Sequence, residues 1–195
     1  LLEIINDVLD LSKIEAGRME LAEEAFDLAA ATDDALHIMR ERAESRGVTL
    51  SLEVAPGAAT LVGDVRAIRQ ILFNLLSNAI KFTARGGAVA VAIRTAQDGG
   101  LTLAVSDTGI GMAPHEIPKA LEPFGQVSGP MNRRHQGTGL GLPLVKSFAE
   151  LHQARFSIAS EPGAGTVVSI AFPPQRRPDP ARERDREPER DRARS

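Results

Sequence analysis

The stretch from Asp64 to Thr83 reads DVRAIRQILFNLLSNAIKFT. Ile68, Ile71, Leu72, Leu75, Leu76 and Ala79 recur at three- and four-residue intervals, the spacing of one face of an α-helix. Asp64 stands just ahead of them, and an Asp there accepts hydrogen bonds from the first free backbone N–H groups of a helix. The pattern predicts a helix from Asp64 to about Phe82 with one face in a core. Asn74 and Asn78 interrupt the apolar stripe and, being four apart, share a face. A buried amide without a partner costs about 1–3 kcal/mol, so the pair either bonds to backbone within the core or serves a ligand. Magnesium takes oxygen ligands from side-chain amides and from nucleotide phosphates, and Lys81, three residues on, is within reach of a phosphate.

Working outward, Leu1, Ile4, Ile5, Val8 and Leu11 predict a helix over residues 1–16 that stops at Gly17. Its broad apolar stripe, with no cap before it, suits a truncated bundle helix better than one packed only on its own domain. A second helix is expected from Leu28 to Arg46, ended by Gly47, with short strands at 49–53 and 60–62. Alternating segments at 88–95 and 101–106 flank Asp98-Gly99-Gly100, a hairpin signal. A loop-rich stretch runs from Asp107 to Thr138, and a helix from about Leu140 to His152. A second hairpin joins 155–160 to 166–172 through Glu161-Pro162-Gly163-Ala164-Gly165. The fold class is therefore α/β (α+β): a two-layer sandwich of three main helices on a mixed, mostly antiparallel sheet.

The 195 residues suffice for one domain with a core of Leu, Ile, Val and Ala, since there are seven Phe and no Tyr, Trp or Cys. The lack of cysteine excludes disulfides, zinc–thiolate sites and thiol chemistry. No apolar run approaches the roughly 18–20 residues of a membrane span. The start, Leu1-Leu2-Glu3, is neither a Met nor a basic n-region and reads as a piece of a longer chain. Net charge is −3, yet residues 173–195 hold eight Arg against six acids, so the body before them is the acidic part. That balance argues against nucleic acid as a partner. Residues 173–195, almost without apolar side chains, are expected to be disordered.

Two further motifs carry chemistry. Asp107-Thr108-Gly109-Ile110-Gly111-Met112 follows a buried strand. Its glycines let backbone approach a ligand closely, and an Asp at a strand end can accept a hydrogen bond from an exocyclic amine. A plain tight turn has the same composition. Gly137-Thr138-Gly139-Leu140-Gly141-Leu142 opens a helix, where outward N–H groups and the helix dipole favour phosphate. It matches neither a Walker loop nor a Rossmann fingerprint, and a simple loop-to-helix junction is the alternative.

Taken together and in this order, the motifs resemble the histidine-kinase branch of the superfamily that also holds the DNA gyrase, heat-shock chaperone and mismatch-repair ATPases. The resemblance covers residues 1 to about 172 and implies a Bergerat-type ATP-binding fold. It implies that Asn74-Leu75-Leu76-Ser77-Asn78-Ala79-Ile80-Lys81-Phe82-Thr83 is the N box, with Mg²⁺ on Asn78, and with Asn74, Lys81 and Phe82 at the nucleotide. Asp107, Gly109 and Gly111 fall in the G1 box, whose Asp binds the adenine amino group. Phe124, in Glu122-Pro123-Phe124-Gly125-Gln126, would anchor a mobile lid. Gly137, Thr138, Gly139, Leu140, Gly141 and Leu142 match the G2 box at the triphosphate, and Thr166 the last glycine box near the base. Arg133 and Arg134 in the lid are candidates to clamp the γ-phosphate, or are solvated charge.

The same resemblance implies three segments: 1–21, the end of a dimerisation hairpin and linker; 22–172, the catalytic domain; and 173–195, a charged tail. The cofactors would be ATP and Mg²⁺, and the reaction transfer of the γ-phosphoryl group to a histidine. None of His37, His115, His135 and His152 stands in the family's acceptor context. The acceptor would come from the dimerisation domain of the same kinase, and the partners implied are a second copy, in a homodimer of the parent, and a response regulator receiver domain. The location would be cytoplasmic, with inner-membrane anchorage of the parent left open. The alternatives are a nucleotide-sensing pseudo-kinase and a gyrase- or chaperone-type ATPase. The latter needs a Glu where Asn74 stands, and an amide is no general base.

Overall fold

The computed structural model describes residues 2–126 and 137–178, with side chains from residue 5 onward. Helix α1 (Leu2–Glu15) leads to a short strand β1 (Glu24–Asp27) and helix α2 (Leu28–Arg46). Strands β2 (Thr49–Val54) and β3 (Thr60–Gly63) precede helix α3 (Val65–Phe82). Then come β4 (Ala88–Thr95), β5 (Leu101–Asp107), a single helical turn α4 (Ile117–Ala120), helix α5 (Gly141–Leu151), β6 (Arg155–Glu161) and β7 (Gly165–Phe172).

The main sheet has the order β2-β4-β5-β7-β6. Its pairs are antiparallel except β2–β4, which is parallel. Alternation along β4 and β5 sends Val89, Val91, Ile93, Leu101, Leu103 and Val105 into the core. There they meet Ile68, Ile71, Leu72 and Leu76 of α3 and Leu144, Val145 and Phe148 of α5 in one cluster. The two-layer sandwich expected from the sequence is what forms. Helix α1 lies against α5 and seats Leu11 in the same cluster, while Ile5 and Leu9 stay exposed.

Three features differ from the expectation. Strand β1 was not legible: it is four residues long, and it pairs with β3 in a separate two-stranded ribbon with Glu24 opposite Gly63. Within the stretch read as loop, Pro114–Glu116 form a 3₁₀ turn that runs into α4. The ordered fold also passes the expected boundary at Phe172. Pro174–Arg176 form a 3₁₀ turn whose Arg176 is buried. Its Nε donates to the carbonyl of His152 and its guanidinium pairs with Glu23. Arg177 donates to the carbonyls of Gly99 and Gly57. These arginines find carbonyl and carboxylate partners, which composition alone does not reveal. The remainder of the charged segment, 179–195, lies outside the described residues.

Asp64 caps α3 as expected, accepting from Arg66 N and Ala67 N. It also accepts from Ala22 N at 3.0 Å, which ties the segment after α1 to α3. Its own N–H donates to Nε2 of the fully buried His152 at 3.1 Å. An N–H can only donate, so Nε2 is the acceptor and the ring proton sits on Nδ1, which donates to Phe148 O at 2.8 Å. The imidazole is therefore neutral in the fold. Burial holds its pKa below the usual value of 6.5; the bond to the Phe148 carbonyl pulls it partly back, and the charge of Arg176 lowers it again. Burial alone would raise the Asp64 pKa above 3.8, but the N–H groups of Ala22, Ala67 and Arg66 and the charge of Arg66 outweigh it and bring it down.

The unfolded chain thus binds a proton at His152 that the folded chain resists, so stability falls as pH drops below about 6.5. A further loss follows below about 3.8 as Asp64 is protonated. Denaturant midpoints measured between pH 8 and 5 should fall with pH, and His152→Gln should flatten that fall. Replacing Asp64 by Ala should cost about 1–2 kcal/mol in the same assay. Asp27→Ala, which removes the exposed cap of α2, should cost about half as much.

Candidate functional site

One side of α3 faces the sheet; the other forms the wall of a cavity of about 480 Å³. Asn74, Asn78 and Lys81 line it from α3, Asp107 from the end of β5, Thr166 from β7, and Gly137, Gly139 and Gly141 from the approach to α5. Val105, Val168 and Ile110 supply apolar wall. A concave, partly apolar space with a few converging polar groups is the usual form of a small-molecule site.

Asp107 ends β5, flanked in register by Val89 of β4 and Thr166 of β7. Its Oδ1 accepts the N–H of Gly109 at 2.8 Å. Burial raises its pKa, and the N–H groups of Gly109 and Thr166 pull it partly back. The turn after it is clamped from both sides. Ile110 N donates to the carbonyl of Phe82 at the end of α3, and Gly163 N donates to the carbonyl of Ile110. Gly111 has φ of 62°, and a Cβ there would run into the carbonyl of Glu161, so both its conformation and its space demand glycine. Met112 N donates to Ser160 Oγ, which shares a hydrogen bond with Thr166 Oγ1, each at 2.8 Å. Ser160 was missed from the sequence, yet it is the cross-strand partner of Thr166, so the hairpin register carried the signal.

At the α3 wall, Asn74 Nδ2 is buried and meets no acceptor among the described residues. The first residue of α5 sits over both amides: a Cβ on Gly141 would lie 3.3 Å from Asn74 Oδ1 and 3.5 Å from Asn78 Nδ2. Lys81 stacks its ammonium over the Phe82 ring, 4.8 Å from the centroid. Burial lowers the Lys81 pKa, and the nearby Arg42 and Arg46 lower it further. Arg42 also lines the cavity, and Arg46 donates to the Lys81 carbonyl. Two cations and an unmet N–H₂ donor on one wall are suited to an anion.

The segments on either side of residues 127–136 are bonded together. Phe124 N donates to Gly139 O at 3.0 Å, and Gln126 Nε2 donates to Gly137 O at 2.7 Å. Gly139 has φ of 72°, and a Cβ on it would meet the Phe124 backbone at 2.6 Å.

Of the residues singled out in the sequence, Asn74, Asn78, Lys81, Phe82, Asp107, Gly111, Gly137, Thr138, Gly139, Gly141, Leu142 and Thr166 reach the cavity wall. Three do not, and act at one remove. Gly109 serves through its N–H to Asp107. Phe124 is 63% exposed and contributes backbone. Leu140 is a core side chain at the cap of α5. Arg133 and Arg134 lie outside the described residues. Besides Ser160, sequence reading missed Asp7 and Arg42, whose positions are set by tertiary packing, and gave no role to Gln126 within its motif. No cluster of three or more His, Cys, Asp or Glu side chains able to hold a metal exists among the described residues. The side-chain oxygens of Asn74 and Asn78 are neutral donors, which suits magnesium when it is shared with phosphate oxygens of a substrate.

Residues 63–176 match the model of the family described as "Histidine kinase-, DNA gyrase B-, and HSP90-like ATPase". The chain is similar to the "Cell-division control histidine kinase PdhS" of Brucella anthropi, at 44% identity over 183 residues, which is 90% of this chain and 17% of that protein. The protein of the same name from Brucella canis is 43% identical over 183 residues, again 90% of this chain and 18% of the relative. The chain thus spans less than a fifth of these relatives. Among solved structures, full-length ShkA in complex with AMPPNP superimposes with a TM-score of 0.78 at 28% identity, covering 88% of this chain and 35% of that one. The Acinetobacter baumannii histidine kinase AdeS shares the fold, with a TM-score of 0.71 at 21% identity over 87% of this chain and 76% of that one.

An amide buried without an acceptor weakens the ligand-free protein. Asn74→Ala should raise its stability by about 1–2 kcal/mol, from relief of that group and from better helix propensity. Calorimetric melting of the ligand-free chain would register this as a rise of roughly 2–6 °C.

Proposed function

The chain belongs to the histidine kinase-, DNA gyrase B- and HSP90-like ATPase family, as the ATP-binding domain of a sensor histidine kinase, and from that premise we propose that it binds ATP with Mg²⁺ and presents the γ-phosphoryl group to a histidine elsewhere in its parent protein. The observation that carries this reading is that an acceptor, Asp107, and the unmet amide of Asn74 line one cavity.

Asp107 accepts from the adenine amino group, and a guanine, which has a carbonyl oxygen at that position, would set two acceptors against each other. Thr166, held by Ser160, borders the same end. The phosphates lie at the start of α5, where free N–H groups and the helix dipole favour anions. Lys81 and Arg42 add positive charge, and the Nδ2 of Asn74 finds its acceptor in a phosphate oxygen. The Asn78 side chain would hold the magnesium, with Asn74 beside it, and the metal would supply neutralisation of charge on the phosphates. The chain's own contribution is positioning and electrostatic stabilisation rather than covalent chemistry. Arg133 and Arg134 are proposed to meet the γ-phosphate.

The acceptor is proposed to come from a histidine-bearing dimerisation domain. His152 is fully buried with both ring nitrogens bonded, while His37 and His115 are exposed on α2 and on the turn before α4. Helix α1 is proposed as the end of that domain's second helix, and its exposed Ile5 and Leu9 are suited to a bundle partner. The parent would act as a homodimer and pass the phosphoryl group to a response regulator receiver domain. No helix of the described residues is long and apolar enough to cross a membrane; the reading puts this domain in the cytoplasm and any anchor elsewhere in the parent. Steady hydrolysis should be very slow, because Asn74 cannot activate water as a base.

Calorimetry on the full chain tests the proposal. ATP should bind in the micromolar range, Asp107→Ala should weaken it by about 10- to 100-fold, and Asn78→Ala should abolish the gain in affinity that Mg²⁺ gives. Arg42→Ala should weaken ATP more than adenosine. Equal binding of ATP by wild type and Asp107→Ala, or no binding at all, would remove the nucleotide site from this cavity.

A further inference from the structure

Ser160 is on β6, outside every motif of the nucleotide site, and its hydroxyl meets three other groups. Met112 N donates to its Oγ at 2.8 Å. Its Oγ donates to the carbonyl of Gly165 at 3.1 Å. Thr166 Oγ1 lies 2.8 Å away, in a bond that either hydroxyl could donate by itself. A serine hydroxyl has one hydrogen to give and two lone pairs to receive with. A backbone N–H can only donate and a carbonyl can only accept, so the first two bonds use one lone pair and the hydrogen. The second lone pair is what remains for Thr166. All three bonds coexist in one arrangement only: Thr166 donates to Ser160, and Ser160 donates to Gly165. The backbone of Gly165 is itself fixed, since it has φ of 95° and a Cβ there would run into the carbonyl of Asp107.

The polarity of this chain matters because Thr166 lines the cavity as the cross-strand neighbour of Asp107. Its hydrogen is committed to Ser160, so its hydroxyl has only lone pairs left for a ligand. We propose that Ser160 is a positioning residue that sharpens the base specificity of this site, by holding the Thr166 hydroxyl as an acceptor for an exocyclic amine. This rests on the nucleotide reading above. The amino group of adenine carries two N–H donors, one for Asp107 and one for Thr166. A purine with a carbonyl oxygen at that position has no hydrogen there and sets its lone pairs against those of Thr166. Without Ser160 the Thr166 hydroxyl is free to turn, and its hydrogen then serves such a carbonyl. A site without Ser160 keeps its nucleotide but separates the two bases less sharply.

The test is calorimetric titration of the full chain with ATP and with inosine triphosphate, which has a carbonyl oxygen in place of the amino group, both with Mg²⁺. The readout is the ratio of the two affinities. Ser160→Ala should narrow the preference for ATP by about 5- to 10-fold, weakening ATP and strengthening the inosine nucleotide. Ser160→Cys, whose thiol is a weak hydrogen-bond partner, should narrow it as well and stands in if the alanine variant does not fold. Ser160→Thr keeps the hydroxyl and should keep the wild-type ratio. In a Thr166→Val background there is no hydroxyl to orient, so adding Ser160→Ala should leave the ratio where Thr166→Val put it. An unchanged ratio in Ser160→Ala or Ser160→Cys, even with both nucleotides weakened alike, gives Ser160 a merely structural role and overturns the proposal. Narrowing that persists in full on the Thr166→Val background overturns it too, as does a Ser160→Thr variant that behaves like Ser160→Ala. A wild type that binds neither nucleotide overturns the nucleotide reading itself, and the proposal with it.

Discussion

A buried N–H₂ with no acceptor among the described residues, on Asn74 of α3, is the constraint around which the site is built. Such a group costs about 1–3 kcal/mol, a large part of a domain's net stability of roughly 5–15 kcal/mol. The cost is tolerable because the opposite face of the same helix is driven into the core by Ile68, Ile71, Leu72, Leu75, Leu76 and Ile80. Burying such side chains stabilises by roughly 1.5–3 kcal/mol each relative to exposure. The apolar face holds α3 on the sheet, and the amide face is held open over the cavity because Gly141 brings backbone, without a side chain, against Asn74 and Asn78. The donor is placed before any ligand arrives, so a ligand acceptor gains a hydrogen bond without the cost of ordering the group that makes it.

The position of α3 depends in turn on the buried contact of His152 with Asp64. Through it, the cap of α3 is joined to the end of α5, and Ala22, Glu23 and Arg176 bind to the same two residues or to their neighbours. The segment after α1 and the segment after β7 are thereby fixed at one point, at the opposite end of α3 from the Phe82 carbonyl that receives the Asp107 turn. The two ends of α3 are thus tied to different parts of the chain: one to the connections of the domain, the other to the Asp107 turn at the cavity.

How much of this was legible in the sequence follows from how local each cause is. Helices α2 and α3 could be bounded closely because their stops and starts are written next to them, Gly47 at φ of 68° and Asp64 as cap. The strands of the main sheet followed from alternation and from turns rich in glycine. Strand β1 was not legible, since Glu24-Ala25-Phe26-Asp27 has no alternation long enough to read and owes its form to pairing with β3. The same holds for Arg176, whose burial needs the His152 carbonyl, far away in sequence. In the site, the glycine and amide motifs were legible because the ligand chemistry is written in contiguous residues. Ser160, Arg42 and Asp7 were not: Arg42 and Asp7 reach the cavity from α2 and α1 through helix packing, and Ser160 stands behind Thr166 through strand register.

The two ends of the cavity are held by different kinds of structure, and the difference suits group transfer. The Asp107 end is fixed by the β5–β7 ladder, by the clamp of Ile110 between Phe82 and Gly163, and by the Ser160–Thr166 bond. The other end is made by the start of α5, where Gln126 donates to Gly137 and Phe124 to Gly139. In the proposed reading, binding energy at the first end does not change as the phosphoryl group moves, so it would retain the nucleotide without favouring the transition state. Interactions at the second end are those that can strengthen as charge shifts between phosphates. In the proposed reading, a site that separates the two in this way would hold the base by the β5–β7 ladder and leave the start of α5 to answer the shifting charge.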